Sequence, residues 1–402
     1  MRLAVLLALL TLAPRAGAAS DHARVDVRAV AEARAVVGLD AARHVAYELL
    51  ITNYHGDTGT LSLQRVDVFA DGATVPTAVF EGEALASRII HPGRPGAAPG
   101  EADARAIAGG EHALLYLWVT PPAGALPRVL RHLLVFRART GQERHASDVT
   151  IGVVAGSAPA LGAPFRSGRW LAHEGPGNHR SHHWGSQLAD NGRITCPQRF
   201  AIDFIGLDDA GRAVRTDART STNADWAGFG AEVIAVENGI VRDRQDDVAD
   251  NVPLAALPLP RSVSARGLYG NYVVVESDGH FVHYAHLQRG SLRVRLGERV
   301  RRGEALGRVG NSGNTSGPHL HLHVSDRATF EGSDGLPFTM APLEVLGRTT
   351  IDHAADLTLA PPSLLPSGPW RAGLPLHGDV VRVDATRPRG RVERGPRKPR
   401  TY

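Results

Sequence analysis

The chain has 402 residues, 43% of them hydrophobic and 21% charged, with a net charge of +4 when histidine is counted as neutral. That balance supports a buried core and excludes a wholly disordered chain, and the length fits roughly two to three domains. A single cysteine, Cys196, excludes an internal disulfide framework, and basic residues without interleaved aromatics argue against a nucleic-acid partner.

In chain order, residues 1–19 (MRLAVLLALLTLAPRAGAA) join a positive start at Arg2, a short apolar run and a small-residue Ala16-Gly17-Ala18 site. This is the pattern of a secretory signal peptide, and it leads us to expect a secreted protein, extracellular or periplasmic and cell-wall associated. No later stretch approaches the ~20 apolar residues of a spanning helix, so no membrane span is expected. Residues 20–150 alternate with a period of two, as in HVAYELLITNY (44–54), TLSLQRVDVFADG (60–72), HALLYLWVTPP (112–122) and RHLLVFRA (131–138). Strands at this spacing predict a β-sandwich accessory domain, with the Gly/Pro/Ala-rich 91–104 as a loop within it. Residues 151–164 read as a linker.

A second β-rich domain is expected over 165–345. VIAVENGIV (233–241) predicts a hairpin turning at Asn238-Gly239, and NYVVVESDGHFVHYAHL (271–287) another turning at Asp278-Gly279. Glycines at 297, 303, 307 and 310 punctuate short strands and suit a compact β-barrel or sandwich. The stretch 242–267 reads as an irregular insertion, a functional wall or a mobile segment. Residues 346–402 read as a C-terminal extension ending in a basic, disordered tail. Its last residues, 386–402, carry seven Arg or Lys against one Glu, suited to an anionic polymer or simply to solvent. The fold class expected is therefore mainly β in two successive domains.

The histidines crowd into the second domain. His173, His179, His182 and His183 fall together, then His280, His283 and His286, then GPHLHLHV (317–324). Side chains alternate along a strand at a rise of ~3.3 Å per residue, so His319, His321 and His323 share a face. By the same parity Tyr284 and His286 share one face and His283 takes the other. His286 and His283 therefore serve one site only if a bulge intervenes. A catalytic zinc uses three nitrogen or oxygen ligands and one open place, and nearby unligated histidines can move protons. The chain offers candidates for each part. Asp225, Asp246 and Asp247 read as solvated loop residues, Trp184 and Trp226 as groove-lining or packing aromatics, and Cys196 as a small buried apolar group.

YAHL (284–287), followed by GNSGNTSGPHLHLHV (310–324), resembles the LytM-type zinc endopeptidases of the M23 family, peptidoglycan hydrolases related to lysostaphin. The resemblance covers roughly residues 165–345. It implies a β-rich groove and one Zn2+ per chain, held by a histidine, an aspartate and the second histidine of HLH, which is His321. It places the two catalytic histidines at His286 and His319, and leaves His323 unassigned. Asp203, in QRFAIDF (198–204), fits the aspartate. Four residues before it, where the family has a ligand histidine, stands Arg199. The segment GPGNHRSHHW (175–184) offers a substitute, His183 first, with His182 its nearest rival and His179 a third. It is similar to an M23 subgroup in which an NxxxHH-type segment precedes QRxAIDF. Arg199 itself is open to pairing with Asp203, to binding a substrate carboxylate, or to a plain surface role.

The reading is thus an exported zinc metalloendopeptidase acting on peptidoglycan cross-links or stem peptides. Its alternative is a degenerate, metal-free domain that binds cell wall or regulates another hydrolase, a reading motivated by Arg199.

Overall fold

The computed structural model describes residues 21–92, 104–154, 158–257 and 264–384. The leader at 1–19, most of the 91–104 loop and the basic tail at 386–402 lie outside the described residues. The fold is mainly β, and no helix among the described residues is long and apolar enough to cross a membrane.

The strands read from the N-terminal alternation are present: Arg43–Asn53, Leu61–Ala70, His112–Val119 and Val129–Ala138. They belong to a ten-stranded sheet, antiparallel between neighbours except where Val153 and Val154 run parallel to Ala33 and Arg34. Arg43–Asn53 and Leu61–Ala70 stand four steps apart in that sheet. Even so, Tyr47, Leu49 and Ile51 share one core with Leu63, Val66 and Val68, all fully buried. The sheet therefore folds over itself as a sandwich, with each strand's inward residues facing the opposite layer.

The second sheet has eleven strands. At its centre Ser167–His173, Ile202–Leu207, Leu320–Ser325, His280–Leu287 and Asn271–Ser277 lie side by side. The hairpin 271–287 turns at Asp278 (φ 41°) and Gly279 (φ 82°), both left-handed, as a two-residue turn matched to strand twist requires. The hairpin expected at 233–241 does not form. Glu232–Ile234 pairs with Ala305–Arg308, while Gly239–Gln245 pairs with Asn271–Ser277. Gly239 serves close approach rather than a turn: a Cβ there would lie 2.3 Å from the carbonyl oxygen of Glu276.

Residues beyond 345 are built into this sheet rather than appended to it. Thr339–Arg348 crosses the expected boundary, and Asp379–Asp384 lies between that strand and Ser167–His173. Val380, Val381 and Val383 are buried there. The end of the expected linker also joins the sheet, Ala160 and Leu161 pairing with Thr339 and Met340.

The two sheets share a core. Val36, Leu39, Ala46 and Tyr116 of the sandwich pack in one cluster with Trp184, Cys196 and Leu374. Arg199 sits in this joint, 3% exposed, and meets none of the three expectations for it. Its Nε donates to Glu48 Oε1 (2.7 Å) and its Nη2 to Glu48 Oε2 (2.9 Å), with Asp334 Oδ1 at 3.4 Å and the Gly335 carbonyl at 3.3 Å. The planar guanidinium fork matches the carboxylate edge of Glu48, which is why an arginine fills this place. Cys196 is fully buried, and burial pushes its thiol pKa up, as befits an inert packing group.

Candidate active site

Backbone pairing sets the first two side chains. In adjacent antiparallel strands Asp203 lies directly opposite His321, so both project from the same face. His321 Nδ1 is 3.0 Å from Asp203 Oδ1. The third comes from the irregular segment 174–187. His183 Nε2 lies 3.3 Å from the same Asp203 oxygen and 3.1 Å from His321 Nδ1. Its other ring nitrogen, Nδ1, donates to the Glu174 carbonyl at 3.0 Å, which leaves Nε2 as an acceptor. His182 is also within reach of Asp203, since ligand atoms of His182, His183 and Asp203 fall within 4.8 Å of one another. It is exposed, however, and engaged with Glu174 Oε2 at 3.4 Å. His179 points elsewhere, to Ser87 Oγ of the sandwich at 3.0 Å.

His286 reaches the cluster through a bulge. Between the pairs Val273↔Tyr284 and Asn271↔Leu287, two residues, Ala285 and His286, oppose the single Tyr272. His286 takes φ 62°, a left-handed conformation that a histidine seldom adopts, and its N–H donates to the Tyr269 carbonyl at 2.9 Å. The extra residue turns the ring to the side of His321, which simple alternation denies it. Tyr284 stays on the opposite side, its hydroxyl accepting from Val236 N–H at 2.9 Å. His286 Nδ1 donates to the Ser312 carbonyl (2.8 Å), and the ring lies 4.8 Å from that of His319. His319 Nδ1 donates to the Gly317 carbonyl at 2.8 Å. Its buried Nε2 makes no hydrogen bond and faces Asp203 Oδ1 at 3.3 Å.

His323, unassigned from the sequence, stands behind His321. Its Nδ1 is 2.9 Å from His321 Nε2, and its Nε2 is 3.3 Å from the Tyr269 hydroxyl. The Gln198 amide nitrogen lies 3.3 Å from the same His321 Nε2, so that edge of the ring is held from two sides while Nδ1 faces Asp203. His283 stacks on His323 at 4.2 Å and does not enter the cluster. Three same-face histidines were legible as a row; that the last one orients the middle one was not, because parity gives a face and not a partner.

The charges follow from this crowding. Burial would raise the Asp203 pKa, but His319 and His183 outweigh it and hold the carboxyl well below its usual range. Burial would lower His319, yet Asp203 raises it. Burial, then His319 and His321, holds His286 well below the ordinary histidine value. His321 is brought down by burial to about 4.

Two imidazole nitrogens and a carboxylate oxygen thus converge within 3.0–3.3 Å of one another. Such a donor set suits Zn2+. The outer contacts to Glu174 and His323 are of the kind that orient metal-binding histidines. The cluster opens on a groove of about 870 Å³ whose walls include His182, Trp226, Leu254, His286 and His319. Leu254 belongs to the insertion, which bonds along the His319 loop through Asn251 N–H to the Asn311 carbonyl and Leu254 N–H to the Ser316 carbonyl. Trp226 lines the groove, whereas Trp184 is buried in the joint with the sandwich.

Comparison with known proteins finds similarity in the part of the chain that carries the histidine-rich strands. Residues 220–331 match the model of Peptidase family M23, so this stretch of the chain is similar to that family. The match includes His286, His319 and His321 and begins downstream of His183 and Asp203. Peptidoglycan DD-endopeptidase ShyC of Vibrio cholerae serotype O1 is 45% identical over 53 residues, 13% of this chain and 12% of that protein. Peptidoglycan DD-endopeptidase ShyA of the same organism is 42% identical over 56 residues, 14% of this chain and 13% of that protein. The matched segments therefore span about an eighth of these relatives' length. Among solved structures, the catalytic domain of the antimicrobial peptidase lysostaphin from Staphylococcus simulans is 19% identical, with 39% of this chain and 79% of that one covered at a TM-score of 0.21.

Proposed function

We propose that this chain is an exported zinc-dependent endopeptidase that hydrolyses peptide bonds in peptidoglycan cross-links or stem peptides. The observation that carries the reading is the convergence of His183 Nε2, Asp203 Oδ1 and His321 Nδ1 within 3.0–3.3 Å. These three would hold one Zn2+. The ion when bound supplies a Lewis acid that lowers the pKa of a water and polarises a peptide carbonyl.

The chain's own residues do the rest. With Nδ1 tied to the Ser312 carbonyl, His286 presents Nε2, and its depressed pKa keeps that atom free to accept a proton from water at neutral pH. His319, its Nδ1 tied to Gly317 and its pKa raised by Asp203, holds a proton more readily at Nε2. It is the group suited to donate to a developing oxyanion or to the departing amine. A peptide substrate would lie in the groove whose walls include Trp226 and Leu254. The peptidoglycan substrate class draws support from the two Vibrio relatives. The metal-free alternative rests on Arg199; that side chain is committed to Glu48, and His183 Nε2 at 3.3 Å from Asp203 supports the zinc reading over it.

The test is digestion of purified peptidoglycan with mass analysis of the fragments, run beside His319→Ala and with zinc counted on the purified protein. New peptide termini from the wild type alone, with about one zinc per chain, support the reading. Intact peptidoglycan from zinc-loaded protein sinks the substrate, and protein that takes up no zinc sinks the mechanism.

A further inference from the structure

Asp203 and His321 are fixed by the ladder of neighbouring strands, but His183 is not. The residues from His179 to Gln187 form neither helix nor strand. Their N-terminal part is tied to Glu174 of its own domain, by Ser181 Oγ to the carbonyl at 2.7 Å and His182 N–H to Oε2 at 3.0 Å, and the other domain holds them at four further points. His179 meets Ser87 Oγ at 3.0 Å, and Arg180 pairs with Glu83 at 3.2 Å. Trp184 Nε1 donates to Glu48 Oε1 at 2.6 Å, and Gln187 Oε1 accepts from the Tyr116 hydroxyl at 2.6 Å. The indole of Trp184, the residue next to His183, also packs on the rings of Tyr116 (5.4 Å) and Trp118 (6.2 Å). Within its own domain the His183 ring has one hydrogen-bonded anchor outside the cluster, the Glu174 carbonyl. Glu48 thus does two things at once: it neutralises Arg199 and it grips the ligand-bearing segment.

We infer that the N-terminal sandwich is a positioning element of the metal centre, acting through Glu48 and Trp184 to set where His183 Nε2 lies. This rests on the zinc reading of the preceding section. It assigns to the sandwich a part in setting the geometry of the metal site. Outer contacts that orient metal ligands are worth about 10–100-fold in metal affinity. Because this one acts on the backbone beside the ligand and not on the ring, the lower end applies.

The experiment measures zinc affinity of the full chain, stripped and then titrated against a chromophoric chelator. Trp184→Phe keeps the packed ring and removes the N–H; it should weaken zinc binding about tenfold. Tyr116→Phe removes only the hydroxyl on Gln187; it should weaken binding about threefold and serves if the tryptophan variant fails to fold. Leu63→Ala, in the sandwich core and away from the joint, lowers the melting temperature without moving zinc affinity, so mere destabilisation is told apart from positioning. The Co2+-substituted proteins add a signature: the visible bands of Trp184→Phe should lose intensity relative to wild type as the tetrahedral set opens. Wild-type protein that binds zinc while Trp184→Phe or Tyr116→Phe binds it equally tightly overturns this inference alone. Wild-type protein that binds no zinc overturns the inference together with the metallopeptidase reading.

Discussion

The Arg199 cluster and the Asp203 cluster are both buried, yet only the first is balanced by a permanent charge. Arg199 directs its guanidinium to Glu48, Asp334 and the Gly335 carbonyl, and opposite charges meet inside the joint of the two sheets. Around Asp203 the converging atoms are one carboxylate oxygen and the nitrogens of His183, His319 and His321, each within 3.0–3.3 Å of that oxygen. Burial costs are offset in the first case by a permanent guanidinium charge and in the second by histidines, whose charge comes and goes with pH, or by a cation in their place. Polar groups of equal depth can therefore belong to architecture or to chemistry, and the permanence of the balancing charge tells which.

The comparison breaks most sharply at His321. Replacing it with Ala should reduce bound zinc from about one per chain to none and abolish hydrolysis, while the metal-free protein keeps its β circular-dichroism spectrum. Undiminished zinc in this variant would remove Asp203 and its neighbours from consideration as the centre. At the architectural cluster the effect should fall on stability. Arg199→Met strands Glu48 without its cation, and urea unfolding should show a loss of about 3–5 kcal/mol. Adding Glu48→Gln should recover much of it, because a buried pair removed together costs less than one partner removed alone.

A third buried polar group sharpens the contrast because it is neutral. His132 bonds the Tyr47 hydroxyl (2.9 Å) and the Val149 carbonyl (3.0 Å) in the sandwich, and burial lowers its pKa from 6.5 to about 4. Between those values the unfolded chain binds a proton that the folded one refuses, so stability is full above about pH 6.5 and declines as pH falls toward 4. The full decline is worth up to about 3 kcal/mol at ~1.4 kcal/mol per pH unit. A melting-temperature profile across that window should flatten in His132→Gln; an equally steep profile would mean another group carries the acid sensitivity. The smallest effect is expected outside all three clusters. Gly279→Ala places a Cβ on a left-handed turn residue with open space around it, a matter of backbone strain alone, and should cost about 1 kcal/mol by thermal unfolding without changing zinc uptake.

Much of this was legible in the sequence where a rule is local. Period-two alternation located the sandwich strands, and Asp278-Gly279 located a turn, because both depend on neighbours in the chain. His319, His321 and Asp203 were legible through motif and resemblance. His286 was legible only as a condition: parity excluded it unless a bulge intervened, and the bulge is there. Asn238-Gly239 misled because a glycine needed for close strand approach spells the same dipeptide as one needed for a turn. The extension beyond 345 was set apart because nothing local announces that Asp379–Asp384 returns to the middle of the sheet. Arg199 was misjudged for a similar reason, since its partner is 151 residues away. A signal existed at the other end: Glu48 is a lone carboxylate within HVAYELLI, an apolar strand where an unpaired charge has no place.

The pairing of Asp203 with His321 across two strands carries one more consequence. The spacing of the centre is ruled by how two ribbons of backbone are threaded past each other, and sliding either by a single step would send one of these side chains through to the far surface. Insertions are thus tolerable in the loops around the groove but not within these two strands, where the chain counts residues as a vernier counts divisions.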